Sequence, residues 1–178
     1  MVVVKGGKPF YGEALGILMV DMKAPLIPGN VGNANSYNFP VRYKVLDTIP
    51  SNWPFDKQGP DNQRFEIFIK KAKELESEGV KAITTGCGFF AIYQKRAADQ
   101  LNITLFASPL LLVPLVSRMI GKNKKVGVIT ADGKYLIQGA FLENVGIDSS
   151  IPIAVGGLEN TEEFYHVHIT QKKERHRS

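Results

Sequence analysis

Thr84-Thr85-Gly86-Cys87-Gly88-Phe89 sets the only cysteine of this chain between two glycines, where a buried strand gives way to a helix. Val80-Lys81-Ala82-Ile83 before it is short, mostly apolar and β-prone, and Phe90 to Leu101 after it has helical composition, so Cys87 is expected in the helix's first turn. Unpaired N–H groups and the positive end of the helix dipole favour an anion there, and can bring a thiol's pKa from about 8.5 toward about 7 or less. The flanking glycines leave room for a small substrate. The same residues also fit a small buried hydrophobe at a tight turn, because free cysteine is among the most buried residue types.

On either side the chain alternates strands and helices. Gly16-Ile17-Leu18-Met19-Val20-Asp21 is a short apolar run ending in a polar residue, followed by Pro25, Pro28 and Gly29, as a buried parallel strand entering a loop reads. A second strand is expected at Val41 to Leu46. A helix is expected from Asp61 to Glu78, where Phe65, Phe68, Ile69, Ala72 and Leu75 recur at helical spacing and Gly79 ends the run. After the Cys87 unit come a strand at Thr104 to Ala107, a helix from Pro109 to Ile120 and a strand at Lys125 to Thr130. A helix from Lys134 to Glu143 and a strand at Ile151 to Val155 follow. Such alternation implies a mostly parallel sheet with right-handed crossovers. The expected fold class is α/β, with a first lobe over residues 1–120 carrying Cys87 and a partial second lobe over 121–178 with a basic tail.

Composition narrows the function classes. At 178 residues and 44% hydrophobic content, core size is no obstacle to a globular α/β protein. One cysteine excludes an intrachain disulfide and a multi-cysteine zinc site, which fits a reducing compartment. The richest apolar run, Leu110 to Ile120, is broken by Pro114 and is about half the length needed to span a bilayer. No secretory-signal pattern precedes the first strand, so a soluble, cytoplasmic protein without a membrane partner is expected. The net charge of +5 is spread along the chain and partly gathered in Lys172-Lys173-Glu174-Arg175-His176-Arg177, with no interleaved aromatic platform, so no nucleic-acid partner is expected.

Gly127-Val128-Ile129-Thr130-Ala131-Asp132 echoes Gly16-Ile17-Leu18-Met19-Val20-Asp21, with Gly and Asp at the same separation. Two unrelated parallel strands can look alike in this way. If the echo is a duplication, a counterpart of Cys87 falls near position 198, beyond Ser178, and the second lobe is incomplete. Apolar surface left open by such a lobe predicts self-association into a homo-oligomer.

Taken together, Thr84-Thr85-Gly86-Cys87-Gly88, the loop Pro28-Gly29-Asn30-Val31-Gly32-Asn33-Ala34, the lead-in Phe39-Pro40-Val41-Arg42-Tyr43 and Val128-Ile129-Thr130-Ala131-Asp132 resemble the aspartate/glutamate/hydantoin racemase superfamily, whose enzymes need no pyridoxal phosphate. The resemblance runs from about Leu15 to Leu158. It implies flavodoxin-like parallel α/β lobes around a cleft, no cofactor and no metal, with one cysteine facing the substrate from each lobe; this chain matches the first. It implies Cys87 as thiol acid/base, and Asn30, Val31, Thr85, Gly88, Phe89, Thr130 and Ala131 as the pocket lining. Racemisation takes a proton from one face of a carbon and returns one on the other, so an acid/base is needed on each side. The expected substrate is a small carboxylate or hydantoin: an amino acid or derivative of aspartate, glutamate or hydantoin type. Two alternatives stay open: one-sided chemistry by a single cysteine, as in decarboxylation or cis/trans isomerisation, and a shortened lobe that only binds a small carboxylate.

Plainer roles exist for several of these residues. Asn30, Gly29 and Gly32 suit turns, Asp21 and Asp132 suit helix caps, and Ser108 before Pro109 suits an N-cap. His166 and His168 alternate as on a solvent-facing strand, and Trp53 between proline-rich neighbours reads as a loop anchor.

Overall fold

The computed structural model describes residues 6–8, 10–49, 62–121 and 123–164. Trp53, the His166/His168 stretch and the basic tail lie outside the described residues.

The expected α/β architecture is present as parallel sheets. Strands β1 (Leu15–Val20), β2 (Val41–Leu46), β3 (Ala82–Thr85) and β4 (Thr104–Phe106) form one sheet in the order β2-β1-β3-β4. Every pairing in it is parallel, with Gly16 opposite Arg42 and Ile83, and Ile83 opposite Leu105. Strands β5 (Val126–Thr130) and β6 (Ile153–Gly157) form a second parallel pair. The two echoing segments therefore occupy like positions, each the first strand of a parallel pair. Within the described residues β5 has a partner on one side only, and Ile129 is 80% exposed.

Helix α1 (Asn62–Glu78) buries Phe65, Phe68, Ile69, Ala72 and Leu75, the stripe read from the sequence. Its packing on β1 is close enough that a Cβ on Gly16 would lie 2.9 Å from Leu75 Cδ1, so a side chain there would force the helix outward. Gly79 ends the helix at φ +101, a left-handed conformation that L side chains resist, and its N–H bonds back to Leu75 and Glu76 carbonyls. Arg42 and Lys44 on β2 pair with Glu78 at 2.7 and 2.6 Å, tying the strand to the end of α1.

The later helices are shorter than their sequences predict. Gly88–Tyr93 is a 3-10 helix leading into α2 (Gln94–Ala98), where one helix to Leu101 was expected. Pro109–Leu112 is also 3-10, followed by α3 (Val113–Ile120). Helix α4 (Gly133–Gln138) stops at Gly139 instead of reaching Glu143, and Glu143–Val145 forms a separate 3-10 turn. The physical reason in the first case is burial: Phe89, Phe90, Ala91, Ile92 and Tyr93 are all buried, so that segment has no solvent side and follows the core. A short helix α5 (Glu162–Phe164) closes the described part.

Asp132 takes the capping role, its Oδ1 accepting the Tyr135 N–H at 2.8 Å. Asp132→Ala is expected to cost about 1 kcal/mol in urea unfolding, and Asp132→Asn much less. An unchanged midpoint in the alanine variant would remove the cap from the stability of this helix.

One hydrophobic core joins both sheets, running from Leu18 and Phe68 through Phe90 to Val128 and Leu136. Its bridge is aromatic. Phe89 meets Tyr135 at 5.4 Å and Phe141 at 5.2 Å between ring centroids, and Tyr135 meets Phe141 at 5.1 Å. The residue after the Gly86-Cys87-Gly88 turn is thus wedged against the second sheet's helix, which fixes that turn between the sheets. Among the described residues no helix is long and apolar enough to cross a membrane.

Candidate active site

In an open parallel sheet ligands bind beyond the carboxyl ends of the strands, where the strand order reverses. Here that point lies between β1 and β3, and a cleft of about 630 Å³ opens there. Its walls come from the ends of β1, β3 and β4 in the first sheet and from β5 in the second. The structure brings all eight sequence-predicted positions to this one cleft: Asn30, Val31, Thr85, Cys87, Gly88, Phe89, Thr130 and Ala131.

Cys87 follows β3 and occupies the N-cap position of the Gly88–Tyr93 turn in extended conformation. Two neighbours hold it there. The Gly86 N–H donates to the Leu18 carbonyl at 2.8 Å, and a Cβ at Gly86 would meet the Met19 thioether, which would have to turn aside to admit it. The Thr85 hydroxyl lies 2.7 Å from the Ala107 carbonyl and 3.0 Å from that of Cys87, linking the ends of β3 and β4. Gln94 reinforces the same junction from α2, donating to the Leu105 carbonyl and accepting the Ala107 N–H.

The expectation of an acidified thiol is not met. Burial pushes the Cys87 thiol up to about 11, while the backbone N–H of Phe89 pulls the other way. A six-residue 3-10 turn has too few aligned peptides to offset desolvation. The resting group at neutral pH is therefore the thiol.

Asn30 and Val31 reach the cleft on a braced loop. Gly29 sits at φ +100, the Ser36 hydroxyl donates to the Asn30 carbonyl at 2.7 Å, and the Asn30 Oδ1 accepts the Gly32 N–H at 2.8 Å. Asn30 thus does serve a turn, as the plain reading had it, and it also borders the cleft. The hydroxyls of Tyr37 and Tyr43 both donate to the Val31 carbonyl at 3.0 Å, pinning it from two directions. Burial raises both phenols, so they stay protonated donors. Nothing in the local sequence signals this clamp, because it joins residues that meet only after the loop closes on β2.

Ser108 is 1% exposed, caps the Pro109–Leu112 turn by accepting the Leu110 N–H at 3.2 Å, and still borders the cleft. Met22, Phe106 and Phe164 also line it and were not singled out from the sequence. Phe106 follows Leu105 on β4 with its side chain on the exposed face, and strand alternation was the signal that placed it there. The described residues that line the cleft are all uncharged. No group of three His, Cys, Asp or Glu among the described residues is arranged to hold a metal ion.

No protein-family model matches the chain. In sequence it is 28% identical over 125 residues to a dimethylsulfoniopropionate lyase of Durusdinium sp. clade D, a match spanning 69% of this chain and 41% of that protein. Dimethylsulfoniopropionate lyase 7 of Emiliania huxleyi (strain CCMP1516) is 28% identical over 69% of this chain and 36% of its own length. The chain thus spans about two fifths of the length of the curated relatives it matches. In structure it is similar to a mutant of arylmalonate decarboxylase in a sulfate-associated form, with a TM-score of 0.52 at 11% identity over 88% of this chain and 74% of the other. An aspartate racemase homologue from Pyrococcus horikoshii OT3 aligns with a TM-score of 0.45 at 16% identity over 88% of this chain and 69% of that one. The chain accordingly has a parallel α/β fold similar to that of arylmalonate decarboxylase.

Proposed function

We propose that this chain moves a proton at the carbon next to a carboxylate, with Cys87 as the single acid/base, in a lyase-type reaction. The observation that carries this reading is the placement of Cys87 in the cleft between the sheets, as the one ionisable side chain among its described lining residues. Racemisation calls for an acid/base on both faces, and the wall facing Cys87 from β5 supplies Thr130 and Ala131. Similarity to dimethylsulfoniopropionate lyases supports elimination from a β-substituted carboxylate.

In that reaction the Cys87 thiolate takes the proton from the carbon beside the carboxylate. The released electron pair forms the carbon–carbon double bond, the bond from the next carbon to sulfur breaks, and dimethyl sulfide and acrylate result. The proton on the thiol then returns to water. The Asn30 amide and the Thr130 hydroxyl are uncharged donors on the cleft wall for the carboxylate as negative charge builds on it. Phe89 and Leu110 give the cleft wall apolar surface beside the Cys87 turn.

A thiol at about 11 makes the thiolate scarce at neutral pH, so kcat/KM is expected to rise about tenfold per pH unit from pH 7 toward 10. A cationic substrate favours the thiolate once bound, so kcat should level off at lower pH than kcat/KM. A second reading draws on the same raised pKa: a resting thiol is suited to donate a proton to the carbanion left by decarboxylation. That reaction would be flat in pH between 6 and 9. The test is release of dimethyl sulfide and acrylate from dimethylsulfoniopropionate over this range, with amino acids and arylmalonates followed in heavy water by NMR. Cys87-dependent exchange of an amino acid's α-proton with loss of chirality would favour racemisation instead, and absence of turnover or exchange with every substrate would overturn proton transfer at this site.

A further inference from the structure

The composition of the cleft bears on what the far end of the ligand carries. Phe106 ends β4, where its register partner on β3 is Thr84, and adjacent strands lie about 5 Å apart. Its ring therefore borders the same space as the Cys87 turn, and it is 37% exposed in a cleft also lined by Met22 and Phe89. The polar groups on the walls, Asn30, Thr84, Thr85, Ser108 and Thr130, are all neutral. Four already serve the fold: the Asn30 Oδ1 accepts the Gly32 N–H, Thr84 donates to the Phe106 carbonyl, Thr85 to the Ala107 carbonyl, and Ser108 caps the Pro109–Leu112 turn.

A primary ammonium brings three N–H donors, each needing an acceptor, and is costly to desolvate without a carboxylate beside it. A dimethylsulfonio or trimethylammonio group has no donors, spreads its charge over methyl groups, and is held by aromatic faces. Resting on the reading of the cleft as the site of Cys87 chemistry, we infer that Phe106 selects a ligand whose cation is fully alkylated over one that carries a primary ammonium. Phe106 is thereby a specificity residue: it chooses the onium end, and Cys87 acts at the carboxylate end. The same wall should accept the trimethylammonio analogue of the sulfonium compound.

Calorimetric titration of the full chain with three carboxylates of like length tests this: dimethylsulfoniopropionate, its uncharged isostere 4-methylpentanoate, and β-alanine. The expected result is binding of the sulfonium compound about tenfold tighter than either of the others, as one good cation–aromatic contact provides. Phe106→Leu should reduce the preference over 4-methylpentanoate to threefold or less, and Phe106→Trp should keep it, with circular dichroism reporting the fold of both. Equal or tighter binding of 4-methylpentanoate, an unchanged preference in Phe106→Leu, or no binding of the sulfonium compound at millimolar concentration would each overturn the selection. Dimethyl sulfide release measured on the same proteins separates the two readings. Loss of onium preference with Cys87-dependent release intact overturns only the role of Phe106, whereas retained preference with release indifferent to Cys87→Ala overturns the chemistry.

Discussion

Cys87→Ala is expected to lower turnover by about 10²–10⁴-fold, the range that one positioned acid/base contributes. The substitution removes a single sulfur from a cleft wall, so the fold and the affinity for substrate should change little. Two features sharpen the expectation. The slope of kcat/KM with pH should vanish in the variant, because the group that titrates with its thiol near 11 is gone. Cys87→Ser should be as inactive as alanine, since a hydroxyl in the same place gives up its proton far less readily than the thiol. Turnover reduced by less than tenfold, or a pH slope that survives in Cys87→Ala, would place the proton-transfer group elsewhere.

Phe141→Ala should have the largest effect on stability. Phe141 is 1% exposed and packs on both Phe89 and Tyr135, so truncation leaves a cavity where the two sheets meet. Such losses cost about 3–5 kcal/mol, equivalent to about 10 °C in Tm for a chain of this size. Because Phe89 follows Gly88 and the Cys87 turn, loosening it should also disturb the cleft, so turnover should fall alongside stability. Phe141→Leu, which fills more of the space, should recover much of both. A Tm within about 2 °C of the parent in the alanine variant would contradict the role of this cluster as the joint between the sheets.

The positions of the strands along the chain and the burial of α1 were legible because each rests on local periodicity. Phe65, Phe68, Ile69, Ala72 and Leu75 could face only one way on a helix, and Gly79 could only end it. The eight cleft positions were implied by the family resemblance, and the cleft gathers them because Thr85 and Thr130 end β3 and β5 and the others lie in the connections that follow strands, which parallel sheets collect at one edge. The 3-10 turn at Gly88–Tyr93 was not legible, since a continuous apolar run does not reveal its pitch. Phe106 and Met22 were missed for a related reason: ordinary core-like residues border a ligand only when a second element leaves space before them.

The amino-acid order by itself determined that this is a parallel α/β chain with a lone thiol at the carboxyl end of a strand, because strand, turn and helix preferences act over a few neighbours. The state and surroundings of that thiol were decided by tertiary structure alone. Its pKa is raised because the turn that carries it is packed against the core, and the desolvation this brings outweighs the pull of the Phe89 N–H in so short a turn.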